Sequence, residues 1–292
     1  MPVSRRRFLQ LAGVGAAGIC SYSYLGSMRR PPYIEGKVLA DLHTHPDKES
    51  DLEDILELLS WGVTGLARVN NVDGFLTYDD ALKLPKVKEI DKGVFAEISF
   101  NGSKGYFVKT QEVMSDYHIL AVGCEGNPIQ DHRDPRRTVE EIHNRGGLAI
   151  LNHPYVARVN SWVRYRLINR YEEEKVRELC EMVDEVEVFN AQCINFFPLF
   201  SFRFLPEILR FNDANTKAKE LASGYGFKGV ASSDAHFLLD QVKIAGIYVL
   251  EDNLSIEALK YYIRTGNFDR YEKHASRWGI IREVMEFNQH NI

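Results

Sequence analysis

The sequence predicts an α/β fold, a parallel sheet or barrel with its chemistry at the carboxyl ends of the strands. Three observations carry that expectation. Short apolar runs alternate with amphipathic stretches from Val38 to Arg264, with no internal repeat. The first run, VLADLHTH over Val38–His45, reads as a buried strand ending in two histidines one residue apart. Residues i and i+2 of a strand point to one side, so both imidazoles face one point. Further histidines and acids close several of the later runs.

Ahead of the fold, Ser4-Arg5-Arg6-Arg7-Phe8-Leu9-Gln10 precedes an apolar run, Leu11 to Ile19, rich in glycine and alanine. Order and content resemble a twin-arginine export signal. The run is shorter than the roughly 20 apolar residues a membrane span needs. Export by that route is expected, to a periplasmic, extracytoplasmic or membrane-anchored location. Ile19 is a poor neighbour for a lipidated Cys20. Ser21–Lys37, with Pro31-Pro32, reads as a linker. Residues 1–37 are therefore assigned to signal and linker, and 38–292 to a single domain.

The 292 residues are 45% hydrophobic and 26% charged, enough for a sizeable core. A formal charge of −5 offers no general nucleic-acid footprint, which needs a basic face. Cys124, Cys180 and Cys193 lack C-x-x-C spacing and read as buried free thiols.

Taken in order, the first helix follows the histidine strand, with a capping box from Ser50 to Glu53, a stripe of Leu52, Ile55, Leu56 and Leu59, and Gly62 as its stop. Val63–Val69, Val94–Phe100, Gly105–Thr110 and Tyr117–Val122 read as strands. Thr138 and Glu141 are placed as caps of a helix that ends at Gly146-Gly147 and feeds the strand Leu148–Asn152. A helix over Glu172–Met182 precedes the strand Val183–Phe189, one near Asn215–Ala222 separates it from Lys228–Ala231, and the strand Ile244–Leu250 with a helix over Ser255–Arg264 closes the pattern.

The strand ends bear His43 and His45, then Glu97 in FAEIS, His118 in DYHILAVG, His153 before Pro154, and Asp234 and His236 in SDAH. Five of nine histidines and two carboxylates thus sit at expected strand ends, far apart in sequence. Convergence in a barrel mouth explains the pattern. Seven N and O ligands suffice for two cations sharing a bridging carboxylate, with a position left for water. Histidine with carboxylate suits Zn, Mn or Fe.

The order D-L-H-T-H, E-I-S, H-I-L, G-G-L-A-I-L-N-H-P-Y, E-V-F-N and S-D-A-H resembles the polymerase-and-histidinol-phosphatase (PHP) family of metal-dependent phosphoesterases, from Leu39 to Leu250. That resemblance implies a distorted (β/α)7 barrel with up to three metals. It places His43, His45, Glu97 and Asp234 on the first metal, lets Glu97 bridge to a second on His118 and His153, and gives His236 to a third. The family's Asp-His pair after the second strand is missing: Arg68-Val69 or Asn70-Asn71 stand there, according to register. Asp51 lies where the family often adds another third-site ligand, or else is an ordinary first-turn carboxylate. Two divalent ions are expected, with a third weak or absent, and Arg68 as a candidate phosphate contact in the vacated space.

The implied reaction is attack of metal-activated water on a small phosphomonoester or phosphodiester. Asp234 is the candidate proton acceptor and His236 the candidate acid for the leaving oxygen, or a supporting neighbour. Arg158 is a candidate phosphate fork or a solvated arginine. Glu187 and Asn190, in VEVFN, match a pocket-lining motif. His132, His143, His274 and His290 read as surface residues. Phe196, Phe197, Phe200, Phe202 and Phe204 belong either to the core or to a lid or membrane-touching surface over Phe196–Phe204. A degenerate domain that binds metal or ligand without turnover, and an amidohydrolase-like C–N or C–O hydrolase, are the competing readings.

Overall fold

A computed structural model describes residues 30–131, 134–159, 162–165, 170–193, 211–276, 278–280, 282–283 and 286. The side chains of 157–159, 162–165, 170–173 and 211–213 are not among those described. The twin-arginine segment, Cys20, His132, His290 and the Phe196–Phe204 stretch lie outside the described residues.

Fourteen strands and six helices alternate along the described chain. Strand β1 (Lys37–Pro46) leads through helix α1 (Leu52–Leu59) to β2 (Gly62–Arg68) and the short α2 (Tyr78–Ala81). Strands β3 (Val87–Asp91), β4 (Phe95–Phe100), β5 (Ser103–Val113) and β6 (Ile119–Val122) then follow without a helix. Helix α3 (Pro135–Asn144), β7 (Leu148–Leu151), a β8–β9 hairpin (Val156–Val159, Trp162–Tyr165), α4 (Arg170–Cys180) and β10 (Glu185–Asn190) come next. The chain continues through α5 (Phe211–Tyr225), β11 (Val230–Ser232), β12 (Ala235–Phe237), β13 (Gly246–Leu250), α6 (Ile256–Thr265) and β14 (Asp269–Tyr271).

The main sheet runs β11-β10-β7-β6-β5-β2-β1-β13-β14. It nearly closes, because β12 leaves β11 across two residues and pairs in parallel with β1, His45 opposite His236. The sheet is mixed, which corrects the parallel expectation. Strands β1, β2 and β5 are mutually parallel, as are β7, β10 and β11, while β6 runs antiparallel to both β5 and β7. Parallel neighbours need a long crossover, and the chain from β3 to β6 has only tight turns. Asn101 and Gly102 join β4 to β5 with φ of +47° and +78°, the backbone of a two-residue hairpin turn.

Alternation sorts the strand residues between two cores. Ala40, Val63, Val108, Leu120, Val122, Ile150 and Ile247 form one cluster inside the barrel, closed by Ile256, Leu259 and Ile263 of α6. Ile119, Ala121, Ala149, Leu151, Val186 and Val188 face outward onto α3, α4 and α5. On the other flank Leu66, Ile98 and Phe107 pack on Ile55, Leu56 and Leu59 of α1.

Two helix starts differ from expectation. Asp51, not Ser50, precedes α1, and its side chain makes no cap. Helix α3 begins at Pro135 with Asp134 accepting from Arg136 N, so Thr138 is a buried residue inside the helix. The far end of α1 is capped from a distance: the buried Lys243 ammonium donates to the carbonyls of Leu58, at 2.6 Å, and Trp61. Cys124, Cys180 and Cys193 are buried free thiols.

Candidate metal centre

Strand β1 supplies the floor of the site. Its register to β2 shifts between Asp41 and Thr44, a bulge that re-aims the strand end. His43 and His45 follow, both fully buried, with ring centroids 5.1 Å apart. Each imidazole is fixed by an acceptor behind it. His43 Nδ1 donates to Glu187 Oε1 at 3.1 Å, and His45 Nδ1 donates to the Ala67 carbonyl at 2.8 Å. Both Nε2 atoms therefore turn to the same interior point, the tautomer-fixing arrangement common at metal-bound histidines.

Opposite them stands a residue the sequence reading missed. Glu112, near the carboxyl end of β5, divides its oxygens between two histidine pairs. Oε2 lies 3.7 Å from His43 Nε2 and 3.4 Å from His45 Nε2. Oε1 lies 2.7 Å from His118 Nδ1 and 3.2 Å from His153 Nε2. This is the bridging position expected of Glu97, and Glu97 is not there. It pairs with Tyr106 across the β4–β5 hairpin and with Lys104 at 3.5 Å. Tyr106 precedes Glu112 by six residues on β5, about 20 Å of strand. Because β4 runs against β5, its carboxyl end faces away from the mouth. The antiparallel β5–β6 pairing, which local sequence does not set, brings Glu112 and His118 together across one short turn.

The fourth side is the link from β11 to β12. Asp234 has φ of +51° and donates its N–H to the His43 carbonyl at 2.9 Å. Its Oδ2 accepts from Asn190 Nδ2 at 2.8 Å, and its Oδ1 lies 3.2 Å from His43 Nε2 and 3.6 Å from His45 Nε2. Behind this link, fully buried Asp41 accepts from Ser233 N, Ser233 Oγ and Lys243 N, which locks the link to β1. Burial raises the Asp41 carboxyl to about 6 despite those donors.

The electrostatics call for cations. Burial disfavours charge on His43, but the carboxylates of Asp234 and Glu187 outweigh it and hold His43 well above the ordinary histidine range. His45 and His153 are raised in the same way, against their burial. Glu112 is held well below the usual carboxylate range, the imidazoles of His118, His153 and His43 overcoming its burial. Asp234 is lowered likewise. His236 goes the other way: burial and the charge on His45 bring it down to about 4.

The donor set fits divalent transition ions. His43, Glu112 and His153 form one set whose ligand atoms lie within 4.8 Å of one another, and His43, His45 and Asp234 form another. Two buried atoms within these sets, His45 Nε2 and Asp234 Oδ1, make no hydrogen bond. A buried polar atom left so is costly unless a ligand satisfies it.

The remaining expected residues separate into groups. His236 stands beside the cluster, its ring 4.5 Å from that of His45 and its Nδ1 donating to the Asp234 carbonyl at 2.8 Å. Phe75 packs against His45, His236 and Phe237, with centroids 4.9–5.7 Å apart. Glu187 and Asn190 are buried beneath the histidines. Asp51 is exposed at the start of α1. Arg68 pairs with Gln111 in the β2–β5 register, one residue off the inward-facing Ala67 and Glu112. Asn70 turns to the loop, donating to the Ile129 carbonyl at 2.9 Å. Arg158 belongs to β8, and its side chain is not described. Of the expected surface histidines, His143 bonds Asp184 and His274 packs on Phe189.

Comparison with known proteins finds a likeness over part of this region. A family model described as PHP-associated matches residues 212–240, which run from α5 through Asp234 and His236. No curated protein matches the chain. Among solved structures, PsfC from Pseudomonas syringae PB-5123 is similar with a TM-score of 0.53 at 12% identity, covering 87% of this chain and 99% of that one. The lesion-specific endonuclease PfuEndoQ from Pyrococcus furiosus aligns with a TM-score of 0.47 at 15% identity, over 80% of this chain and 57% of its own. The likeness to PsfC shows a shared fold, a single α/β domain around a nearly closed mixed sheet, and the matched segment carries the PHP-associated signature.

Proposed function

We propose that this chain is an exported metal-dependent phosphohydrolase that acts on a small phosphomonoester or phosphodiester. The observation that carries the reading is the division of Glu112 between the two histidine pairs, a carboxylate set to be shared by two cations. The PHP-associated match and the order of the histidine motifs favour phosphoester chemistry over C–N hydrolysis. His43, His45 and Asp234 would hold one ion through Nε2, Nε2 and Oδ1, with Glu112 shared. His118 and His153 would complete the second. Zn, Mn or Fe suits this set. Two such ions supply Lewis acidity and a lowered water pKa.

The chain's own groups then do the following. Asn190 holds Oδ2 of Asp234, so this carboxylate presents Oδ1 alone to the centre. His236, beside His45 with its Nδ1 on the Asp234 carbonyl, would serve as the acid for the leaving oxygen or as a supporting neighbour. His118 and His236 have side chains about one-fifth exposed, while His43 and His45 are sealed, so substrate arrives from the His118–His236 side. A third ion is disfavoured by the ring of Phe75 beside His236 and by the outward course of Asn70.

Metal analysis of the purified protein beside assays on an aryl phosphate and a bis-aryl phosphate tests this reading. Two metals per chain with turnover of either ester supports it. Metal without turnover across several ions and both esters makes the chain a silent binder. Export rests on the Arg5-Arg6 segment; Arg5→Lys with Arg6→Lys should retain the protein inside the cell, and unchanged export refutes that route.

A further inference from the structure

Glu187 lies beneath both ligand sets, and its two oxygens are filled from four directions. Oε1 accepts from His43 Nδ1 at 3.1 Å and from Ser232 Oγ; Oε2 accepts from the His153 N–H at 2.8 Å and from Asn190 Nδ2 at 3.3 Å. These donors come from β1, β11, the segment after β7, and β10 itself. With each oxygen already accepting twice, neither is directed at a cation, so Glu187 is not a ligand.

Its partners are nonetheless the pivots of the centre. His43 belongs to both ligand sets and His153 to one of them. A carboxylate behind Nδ1 selects the tautomer whose Nε2 faces the ions. His153 also has φ of +24°, a backbone conformation L residues rarely adopt. The Glu187 contact to its N–H restrains that turn. Local sequence explains how one side chain reaches so far: the register of β10 to β11 shifts between Glu187 and Phe189, and Asn190 turns inward beside Glu187.

We propose that Glu187 is the positioning residue of the metal centre, fixing the His43 tautomer and the His153 turn together while binding no ion itself. The proposal rests on the metal reading above. Co²⁺ titration of the full chain after chelator treatment tests it, with affinity and the visible Co²⁺ spectrum as readouts. In Glu187→Gln one oxygen becomes an amide nitrogen, and whichever way it lies it meets two donors. Affinity should fall about 10–100-fold and the Co²⁺ spectrum should shift, as outer-shell losses do. Glu187→Asp, which keeps the charge, should recover part of both. Glu185→Gln serves as control, because Glu185 lies two residues earlier on β10 and accepts from Val186 N and Gly229 N. It should leave affinity and spectrum unchanged.

If Glu187→Gln binds Co²⁺ within about threefold of the parent with the same spectrum, the proposal is overturned. Should Glu187→Gln fail to fold, Glu187→Asp decides alone, and parent-like affinity with a parent-like spectrum overturns the proposal as well. A parent that takes up no Co²⁺ sinks the metal reading and this proposal with it. That outcome is distinct from a parent and a Glu187→Gln variant that bind alike.

Discussion

The floor and the rim of the cluster hold the same kinds of side chain under different conditions. On the floor, His43 and His45 are sealed, and both Nδ1 atoms are bonded to fixed acceptors on other strands, Glu187 of β10 and the Ala67 carbonyl of β2. At the rim, His118 is about one-fifth exposed and leans on Glu112. The floor is set before any ion arrives, because β1 is held between β2 and β13 and also pairs with β12. The rim depends on turns whose shape the ligands themselves help to hold. Affinity should therefore be concentrated on the floor, and access and exchange at the rim.

Removing the bridge breaks the comparison outright. Under the proposed two-ion reading, Glu112→Gln would take the shared carboxylate from both ions, and turnover should fall on the order of 10³-fold, several kcal/mol of transition-state stabilisation. Steady-state rates with an aryl phosphate, alongside metal content, measure it; a loss below tenfold would mean the two sets are not joined through Glu112.

The next effect separates the two ends. His45→Ala should lower affinity and also destabilise the metal-free fold by about 1–3 kcal/mol, because the Ala67 carbonyl loses its donor in a buried site. His118→Ala should weaken metal binding and cost the metal-free fold less than His45→Ala does, because its side chain is about one-fifth exposed and Glu112 keeps His153 as a partner. Denaturant melts of both variants without metal check this, and equal destabilisation would erase the distinction between floor and rim.

Proton linkage sharpens it further. His43, His45 and His153 are raised in the metal-free protein, so their stabilising charge is fully present below about 6.5, their ordinary value, and is lost as pH rises through the raised values. Glu112 and Asp234 are lowered, so their contribution is present above their ordinary values and lost only in strong acid. Metal-free protein should thus melt lower as pH climbs from neutral to alkaline, while metal-loaded protein resists the change. Metal binding should release protons, with affinity rising with pH. Calorimetry in buffers of different ionisation enthalpy reads the proton count; no release would mean that these imidazoles are already neutral.

The smallest effect is expected at Glu97. Its side chain is 26% exposed beside Lys104, itself 46% exposed, and such a pair contributes about 0–1 kcal/mol. Glu97→Gln should leave turnover and metal content at parental values. A loss of metal would return Glu97 to the centre.

What the sequence determined by itself is the set of strand ends that bear histidine: the runs into His43-x-His45, His153 and Asp234-x-His236 are short and apolar and close on histidine or aspartate. Periodicity located those strands within a few residues, because alternation is a local property of the chain. Which acid joins them was decided only by the tertiary structure. Glu97 and Glu112 each belong to a strand in FAEIS and TQEV, and nothing local says which strand runs toward the mouth. The Asn101-Gly102 turn reverses β4 against β5, and direction is a property of the pair, not of either strand. The role of Glu187 was hidden for the same reason: a carboxylate serving donors from four separate segments has a meaning only once those segments have met.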